Sequence, residues 1–127
     1  MHICLDVDDT ITYAPGFFAG LCERFANARI TIVTFRSDLA TTKDYLDSVG
    51  VRYDRVVVST DEQYGKSKSE SLHEWKANFV NRLRPDIFFE DMPEVVALID
   101  PGILVFMPCD GIIREWISSQ LNKMNTK

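Results

Sequence analysis

The stretch Ile3-Cys4-Leu5-Asp6-Val7-Asp8-Asp9-Thr10 places three carboxylates directly after a short apolar run. Such a run indicates a buried strand, which we predict over residues 3–7. Like charges repel and a buried strand end is partly desolvated, so ionised side chains there need a partner. A divalent cation with oxygen ligands is one such partner, and a solvated acidic turn is the alternative. Because alternate strand residues share a face, Asp6 and Asp8 are predicted to face one site if the extended backbone continues.

Composition narrows the class of protein. A chain of 127 residues is predicted to form one domain with a sizeable core. The net charge of −5 argues against nonspecific nucleic-acid binding through a basic surface. Three widely spaced cysteines, Cys4, Cys22 and Cys109, are typical of reduced, buried thiols. With no secretory signal and no apolar stretch of about 20 residues, we expect a cytoplasmic protein without a membrane partner.

Strand and helix patterns alternate along the rest of the chain. Four more strands are predicted over residues 30–35, 56–58, 87–89 and 103–107. Helices are predicted between them, and Ser37 or Asp38, Gly50 and the capping box Ser71-Leu72-His73-Glu74 mark their ends. Five short strands alternating with helices predict an α/β fold, a doubly wound parallel sheet with helices on both faces.

Apolar residues of the helices predict the core. Trp75, Trp116 and the pair Phe17-Phe18 are expected to be buried in it. Asp110 is predicted to cap the last helix, and Pro93 to begin the short helix before strand five. The last helix is predicted to present one apolar stripe, formed by Ile112, Ile113, Trp116, Ile117 and Leu121.

In doubly wound sheets, ligands bind outside the carboxyl ends of the strands. Acidic clusters end strands one and four, and a hydroxyl and an arginine end strand two. If strands one and four are neighbours, their carboxylates need a metal or raised pKa values, and the whole set suits an anion such as phosphate. The predicted strand ends are Asp6 to Thr10, Thr34-Phe35-Arg36, Ser59-Thr60-Asp61, Glu90-Asp91 and Pro108-Cys109-Asp110.

Lys76 lies on the apolar stripe of the helix predicted over residues 71–83. A lysine is rarely placed on such a stripe without an anionic partner, so its amine is predicted to point at Asp6 and Asp91. The alternative is a boundary lysine whose amine reaches solvent. Lys66 and Lys68, in the polar loop 59–70, are rival candidates for a lysine of the site.

The ordered set of motifs resembles the haloacid dehalogenase superfamily of phosphotransferases, which has a three-layer Rossmann-like fold. Its first motif, Asp-x-Asp-x-Thr/Val, matches Asp6 to Thr10, and its second, a Thr or Ser ending strand two, matches Thr34. The third is a lysine at the start of a later helix, assigned to Lys76. The fourth is an acidic pair, more often Asp-Asp or Gly-Asp, matched by Glu90-Asp91. The motifs follow the family's order over nearly the whole chain.

The resemblance implies a magnesium-dependent phosphatase. Asp6 would attack phosphorus to form an aspartyl-phosphate, and Asp8 would act as general acid and then general base. Thr34 and Lys76 would hold the nonbridging oxygens of the phosphate. The implied Mg²⁺ site comprises Asp6, Asp8 through its carbonyl, Asp91, and Glu90 directly or through water. The residues assigned to substrate binding are Asp9, Thr10, Thr34, Phe35 and Arg36.

The spacing between motifs leaves no room for a cap domain, so the resemblance is to a capless member with an open site. Such a site suits a phosphorylated small molecule or macromolecule, or a neighbouring subunit that covers it. The loop 59–70 is expected to act as a partial lid.

Two other functions fit the fold class. A response-regulator receiver would use Asp8, Asp9 and Asp61, but it needs Thr or Ser after strand four, where Glu90-Asp91 stands. It also needs a lysine after strand five, where Met107-Pro108 stands. A non-catalytic module that binds phosphate or metal is the second alternative, and the retained aspartates argue against it.

Overall fold

The computed structural model describes residues 1–108 and 111–125, and it leaves the side chains of 111–113 undescribed. Five parallel strands form one sheet in the order β3-β2-β1-β4-β5, which confirms the predicted class. The chain builds outward from β1 to β3 and then returns to the other side of β1 for β4. The strands are β1 His2–Leu5, β2 Arg29–Val33, β3 Arg55–Val57, β4 Ile87–Phe89 and β5 Leu104–Phe106.

Helices cover both faces of the sheet. Two of them, α1 Pro15–Arg24 and α2 Leu39–Val49, pack on one face, and α3 Leu72–Leu83 and α4 Pro93–Val96 pack on the other. The fifth, α5 Gly111–Asn125, follows β5. Because successive strand residues point to opposite faces, β1 to β4 contribute to both cores, whereas Leu104 and Phe106 of β5 are exposed. None of the described helices has the length and apolar composition needed to cross a bilayer.

The predicted helix ends are confirmed where they rest on cap chemistry. The Asp38 carboxylate accepts the backbone N–H of Thr41, and Gly50 ends α2 in the left-handed region at φ 76°. Ser71 and Glu74 form the complete capping box at the start of α3.

The first helix, predicted to about residue 28, ends four residues earlier, at Arg24. The Arg52 guanidinium donates hydrogen bonds to the carbonyls of Phe25 and Ala28, both at 3.0 Å. The Arg52 side chain, just before β3, therefore satisfies carbonyls at the end of the helix that have no partner within it. The sequence of the helix itself does not indicate this contact with Arg52.

Two of the predicted core residues are not in the core. Trp75 and Phe18 are buried as predicted, but Trp116 is 62% exposed and Phe17 is 58% exposed. Ile117 and Leu121, from the predicted apolar stripe of α5, are exposed as well. An apolar stripe is buried only where another element packs on it, and no described element covers this one. The cap at Asp110, the Cys109 thiol and the Ile112 and Ile113 side chains lie outside the described residues.

Candidate active site

The chain turns sharply after Asp6. Pairing of β1 with its neighbours ends at Leu5, although the Asp6 N–H still bonds to the Phe89 carbonyl at 3.0 Å. Asp9 has φ 62°, in the left-handed region that aspartate tolerates better than most residues. The Thr12 N–H closes the turn on the Val7 carbonyl at 3.0 Å. Asp8 itself keeps extended angles, at φ −73° and ψ 129°, so the left-handed residue of the turn is Asp9. The shared Asp6–Asp8 face stays a prediction.

Lys76 brings β1 and β4 together at the centre of the site. Its Nζ lies 2.6 Å from Asp6 Oδ1 and 3.0 Å from Glu90 Oε1. Only 1% of Lys76 is exposed, which excludes the alternative of a lysine that reaches solvent. The prediction that its amine meets Asp6 is confirmed, but its second partner is Glu90 rather than Asp91. Glu90 follows directly on β4, the neighbour of β1, and its side chain is fully buried.

Glu90 acts as the anchor of this lysine. Its Oε1 accepts Lys76, and its Oε2 accepts the backbone N–H groups of Asp91 at 3.0 Å and Met92 at 3.2 Å. Protein donors thus reach both oxygens. A carboxylate fixed at both ends holds the ammonium in one direction, towards Asp6.

Asp6 is also held through both oxygens. Oδ2 accepts the Thr10 hydroxyl at 2.8 Å, while Oδ1 faces Lys76. Burial raises the pKa of Asp6 to about 6, and the Lys76 charge opposes that rise. Burial alone would lower the pKa of Lys76, but the charges of Asp6 and Glu90 outweigh it and raise that pKa. The ammonium therefore remains protonated at neutral pH.

A group of three carboxylates fits a divalent cation. Asp6, Glu90 and Asp91 each offer an oxygen, and these atoms lie within 4.8 Å of one another. Opposite ligands across Mg²⁺ are about 4.2 Å apart, twice a bond of about 2.1 Å. Three carboxylates and one ammonium carry two net negative charges, which one divalent cation balances. Burial and the neighbouring Glu90 raise the pKa of Asp91 to about 6.

The Asp8 carboxylate lies apart from this group. The Arg36 guanidinium donates to both of its oxygens, with Nη2 at 2.8 Å from Oδ1 and Nε at 3.0 Å from Oδ2. The pair is partly exposed, at 30% for Arg36 and 54% for Asp8. The Tyr45 ring, 5.3 Å from the Arg36 Cζ, supports the guanidinium from α2. Asp8 therefore stands at the solvent-facing edge of the site.

The end of β2 supplies the other predicted residues. Thr34 is fully buried, and its hydroxyl oxygen accepts the Arg36 N–H at 3.1 Å. A threonine hydroxyl that accepts one bond still has a proton to donate. The Phe35 ring lies 4.1 Å from Lys76 Nζ, so its face contributes a cation–π contact to the buried ammonium. The structure thus places Thr34, Phe35 and Arg36 around the same strand end.

The loop 59–70 is tied to the end of β2. The Ser59 N–H donates to the Arg36 carbonyl at 2.9 Å, and the Thr60 hydroxyl donates to the Ser37 carbonyl at 2.7 Å. Lys66 Nζ bonds to the Ser67 carbonyl in its own loop. Among the described contacts, Lys76 and neither of its two rivals reaches Asp6. The loop supports the backbone of Arg36 in this structure; its role as a lid stays a prediction.

Three features of the site were not anticipated from the sequence. Thr10, assigned to substrate binding, holds Asp6, and its spacing of four residues from Asp6 was the available signal. Tyr45 supports Arg36 without any sequence signal, because that contact joins two elements. A cavity of about 140 Å³, lined by Asp9, Tyr13, Asp91 and Pro108, opens beside the cluster. Asp9 and Asp91 therefore both line this cavity.

Comparison with known protein families, with curated proteins and with solved structures finds no match to this chain. The geometry of the site is therefore the basis for its chemistry. The site holds the oriented carboxylate of Asp6 and the fixed ammonium of Lys76 beside it. It also holds a group of three carboxylates that could bind a cation, and the Arg36 guanidinium at its edge.

Proposed function

We propose that this protein is a magnesium-dependent phosphomonoester hydrolase of the haloacid dehalogenase type. The observation that carries the proposal is Asp6: it is nearly buried at the end of the central strand, and Thr10 and Lys76 hold its two oxygens. A carboxylate held in this way is directed and largely dehydrated, which suits a nucleophile. The substrate class is a phosphorylated small molecule or macromolecule.

In the first step, an Asp6 oxygen attacks phosphorus and the bond to the leaving oxygen breaks, which gives an aspartyl-phosphate. Negative charge on the nonbridging oxygens is met by the Lys76 ammonium and the Thr34 hydroxyl. Both groups are held before substrate arrives, Lys76 by Glu90 and Thr34 by its place at the end of β2. No reorganisation energy is therefore needed for these two donors at the moment of transfer.

Asp8 is the proposed proton donor to the leaving oxygen. In this structure Arg36 occupies both of its carboxylate oxygens. A phosphate dianion competes with Asp8 for the guanidinium fork, since Arg binds both groups in the same bidentate geometry. Substrate binding would thus draw Arg36 towards phosphate and release Asp8, which takes up a proton from solvent and gives it to the leaving oxygen. In the second step, Asp8 takes a proton from water, whose oxygen attacks the aspartyl-phosphate; inorganic phosphate leaves and Asp6 is regenerated.

Asp6 and Asp91, with the Asp8 carbonyl and Glu90 directly or through water, are the proposed holders of Mg²⁺. When bound, the cation neutralises negative charge between the nucleophile and the phosphate. The donor set consists of oxygen only, which matches a hard cation. The two net negative charges of the cluster also favour a divalent cation.

A second candidate function is binding of phosphate or metal without turnover. The observation in its favour is the closed Asp8–Arg36 pair, which leaves the general acid bonded to a protein group. A module of this kind would bind phosphate through Arg36, Lys76 and Thr34 and form no covalent intermediate.

Release of phosphate from an aryl phosphate, measured with Mg²⁺ and then with excess chelator, tests the proposal. We expect turnover that chelation removes. Asp6→Asn should abolish turnover because an amide forms no acyl-phosphate, and Asp8→Asn should lower the rate about 10²–10⁴-fold. Asp44→Asn, an exposed position on α2, is the matched control and should retain full activity.

Mass spectrometry of acid-quenched protein should detect phosphate on Asp6 in the wild type. Equal rates with magnesium and with chelator would remove the metal role. Phosphate binding by calorimetry in a chain without turnover on any substrate tested would support the binding module instead.

A further inference from the structure

One face of the sheet is incomplete. On the face covered by α1 and α2, Phe89 of β4 packs in the core but β5 is uncovered, and a groove of about 550 Å³ runs between α1 and these two strands. Phe17 on α1 and Phe106 on β5 are 58% and 51% exposed. Large aromatic side chains this exposed on a shared concave surface are uncommon in monomers. The main lining residues are Tyr13, Phe17, Leu21, Phe25, Phe89 and Phe106.

The same chain carries an exposed apolar stripe of matching character. On α5, Ile117, Leu121 and Met124 recur at helical spacing beside Trp116, and all four are exposed, by 41% to 71%. The Arg114 guanidinium donates to the Tyr13 hydroxyl at 3.1 Å, so the helix begins at the rim of the groove. Its stripe nevertheless lies outside the groove. Each chain thus exposes a concave and a convex apolar surface.

We propose that α5 of a second copy of this chain fills the groove, and that the two copies exchange these helices about a two-fold axis. One type of contact, used twice, then covers both grooves and both stripes. The 15 residues of α5 span about 22 Å, enough to follow the full length of α1. The stripe and the main lining residues carry no charge, so their contact desolvates no ion.

The size of the contact agrees with a stable dimer. Covering one exposed aromatic or methionine side chain removes on the order of 100 Å² from water. Two helix–groove contacts therefore remove on the order of 1,000–2,000 Å², the range of specific interfaces. The surface is more apolar than a typical protein surface, as in permanent homodimers.

The proposed interface borders the candidate site. Tyr13 and Pro108 line the groove and also the small cavity beside Asp9 and Asp91. A helix from the partner would therefore form part of the site's surroundings in a chain whose sequence leaves no room for a cap domain. The dimer itself does not depend on the proposed activity.

Light scattering coupled to size exclusion, over a wide range of concentration, tests the dimer. The wild type should be dimeric at the higher concentrations. Leu121→Glu places a charge on the stripe and should raise the dimer dissociation constant at least about 100-fold, since each of two contacts buries a charge. Asn122→Glu, the adjacent exposed position, adds the same side chain off the stripe and should leave the constant within about twofold.

A mixing experiment distinguishes helix exchange from any other dimer. Phe17→Glu disrupts the groove and leaves the stripe of α5 intact, whereas Leu121→Glu disrupts that stripe and leaves the groove intact. Each variant alone should be monomeric, and their mixture should form a heterodimer through the one intact contact. Circular dichroism should show the same helical content in all variants.

A wild type that is monomeric throughout would overturn the proposal and would mean that each groove is closed by its own helix or stays open. A dimer that Leu121→Glu does not weaken would overturn it as well. So would a mixture of the two variants that pairs no better than either variant alone at the highest concentration reached.

Discussion

Helices α3 and α5 have similar lengths, 12 and 15 residues, and both carry an apolar stripe, yet only one of them is buried. On α3, Trp75, Phe79 and Val80 pack into the core, and Lys76 beside them is as buried as they are. On α5, Trp116 and Leu121 are exposed. Periodicity shows which side of a helix can be buried, and the surface it meets decides whether it is.

The contrast between the two helices also explains why Lys76 lies on the buried stripe of α3. In α3 a charge lies on the buried stripe because two carboxylates meet it at the sheet edge. The charge-free stripe of α5 has no such requirement and fits an apolar surface of the same kind. A charged residue on an apolar stripe therefore indicates more specifically what the stripe packs against than the apolar residues around it do.

The largest expected effect is at the buried charge. Lys76→Met keeps the length of the side chain and removes the ammonium, which leaves Asp6 and Glu90 facing each other unpaired. We expect the free energy of unfolding to fall by about 3–5 kcal/mol in chelator, measured by urea denaturation. Adding Glu90→Gln to this variant should restore part of the loss, because it removes one uncompensated charge.

Lys66→Ala and Lys68→Ala are the controls for that experiment. Both lysines lie in the polar loop, so the free energy of unfolding should change by less than about 0.5 kcal/mol. If the protein has the proposed activity, Lys76→Met should lose most of it, whereas the loop variants should mainly change apparent substrate affinity. A stability loss at Lys68 as large as that at Lys76 would contradict the assignment.

The helix comparison itself is tested by matched truncations. Phe79→Ala on α3 should cost about 3–5 kcal/mol, because a buried ring leaves a cavity. Leu121→Ala on α5 should change the stability of the dilute, monomeric chain by less than about 0.5 kcal/mol. Urea denaturation at low protein concentration measures both. If Leu121→Ala is as costly as Phe79→Ala in the monomer, α5 packs on its own chain.

The smallest effect is expected at the start of α3. Ser71→Ala removes the side chain that accepts the Glu74 N–H at 3.1 Å and breaks the capping box. The expected loss is about 1 kcal/mol, seen as a lower midpoint in thermal unfolding. Ser69→Ala, two residues earlier in the loop, serves as control and should have a smaller effect. An unchanged midpoint for Ser71→Ala would show that the packing of α3 alone determines where it begins.

Local chemistry made much of the fold predictable. The number and order of the strands, the cap at Asp38, the turn at Gly50 and the capping box at Ser71 depend on neighbouring residues and are confirmed, although β1 ends at Leu5 rather than Val7. The burial of Lys76 was also predictable, because its place on an apolar stripe depends on the period of the helix. Element ends were less predictable, as the early end of α1 under Arg52 shows.

The sequence alone determined which residues end each strand, and therefore which side chains gather at the carboxyl edge of the sheet. Only the tertiary structure decided how they pair there: Lys76 with Glu90 rather than Asp91, and Asp8 with Arg36. The reason is physical. The period of a strand fixes the direction of its side chains over a few residues. Distances between side chains far apart in the chain depend on the left-handed turn at Asp9 and on how β2, α3 and β4 pack around β1.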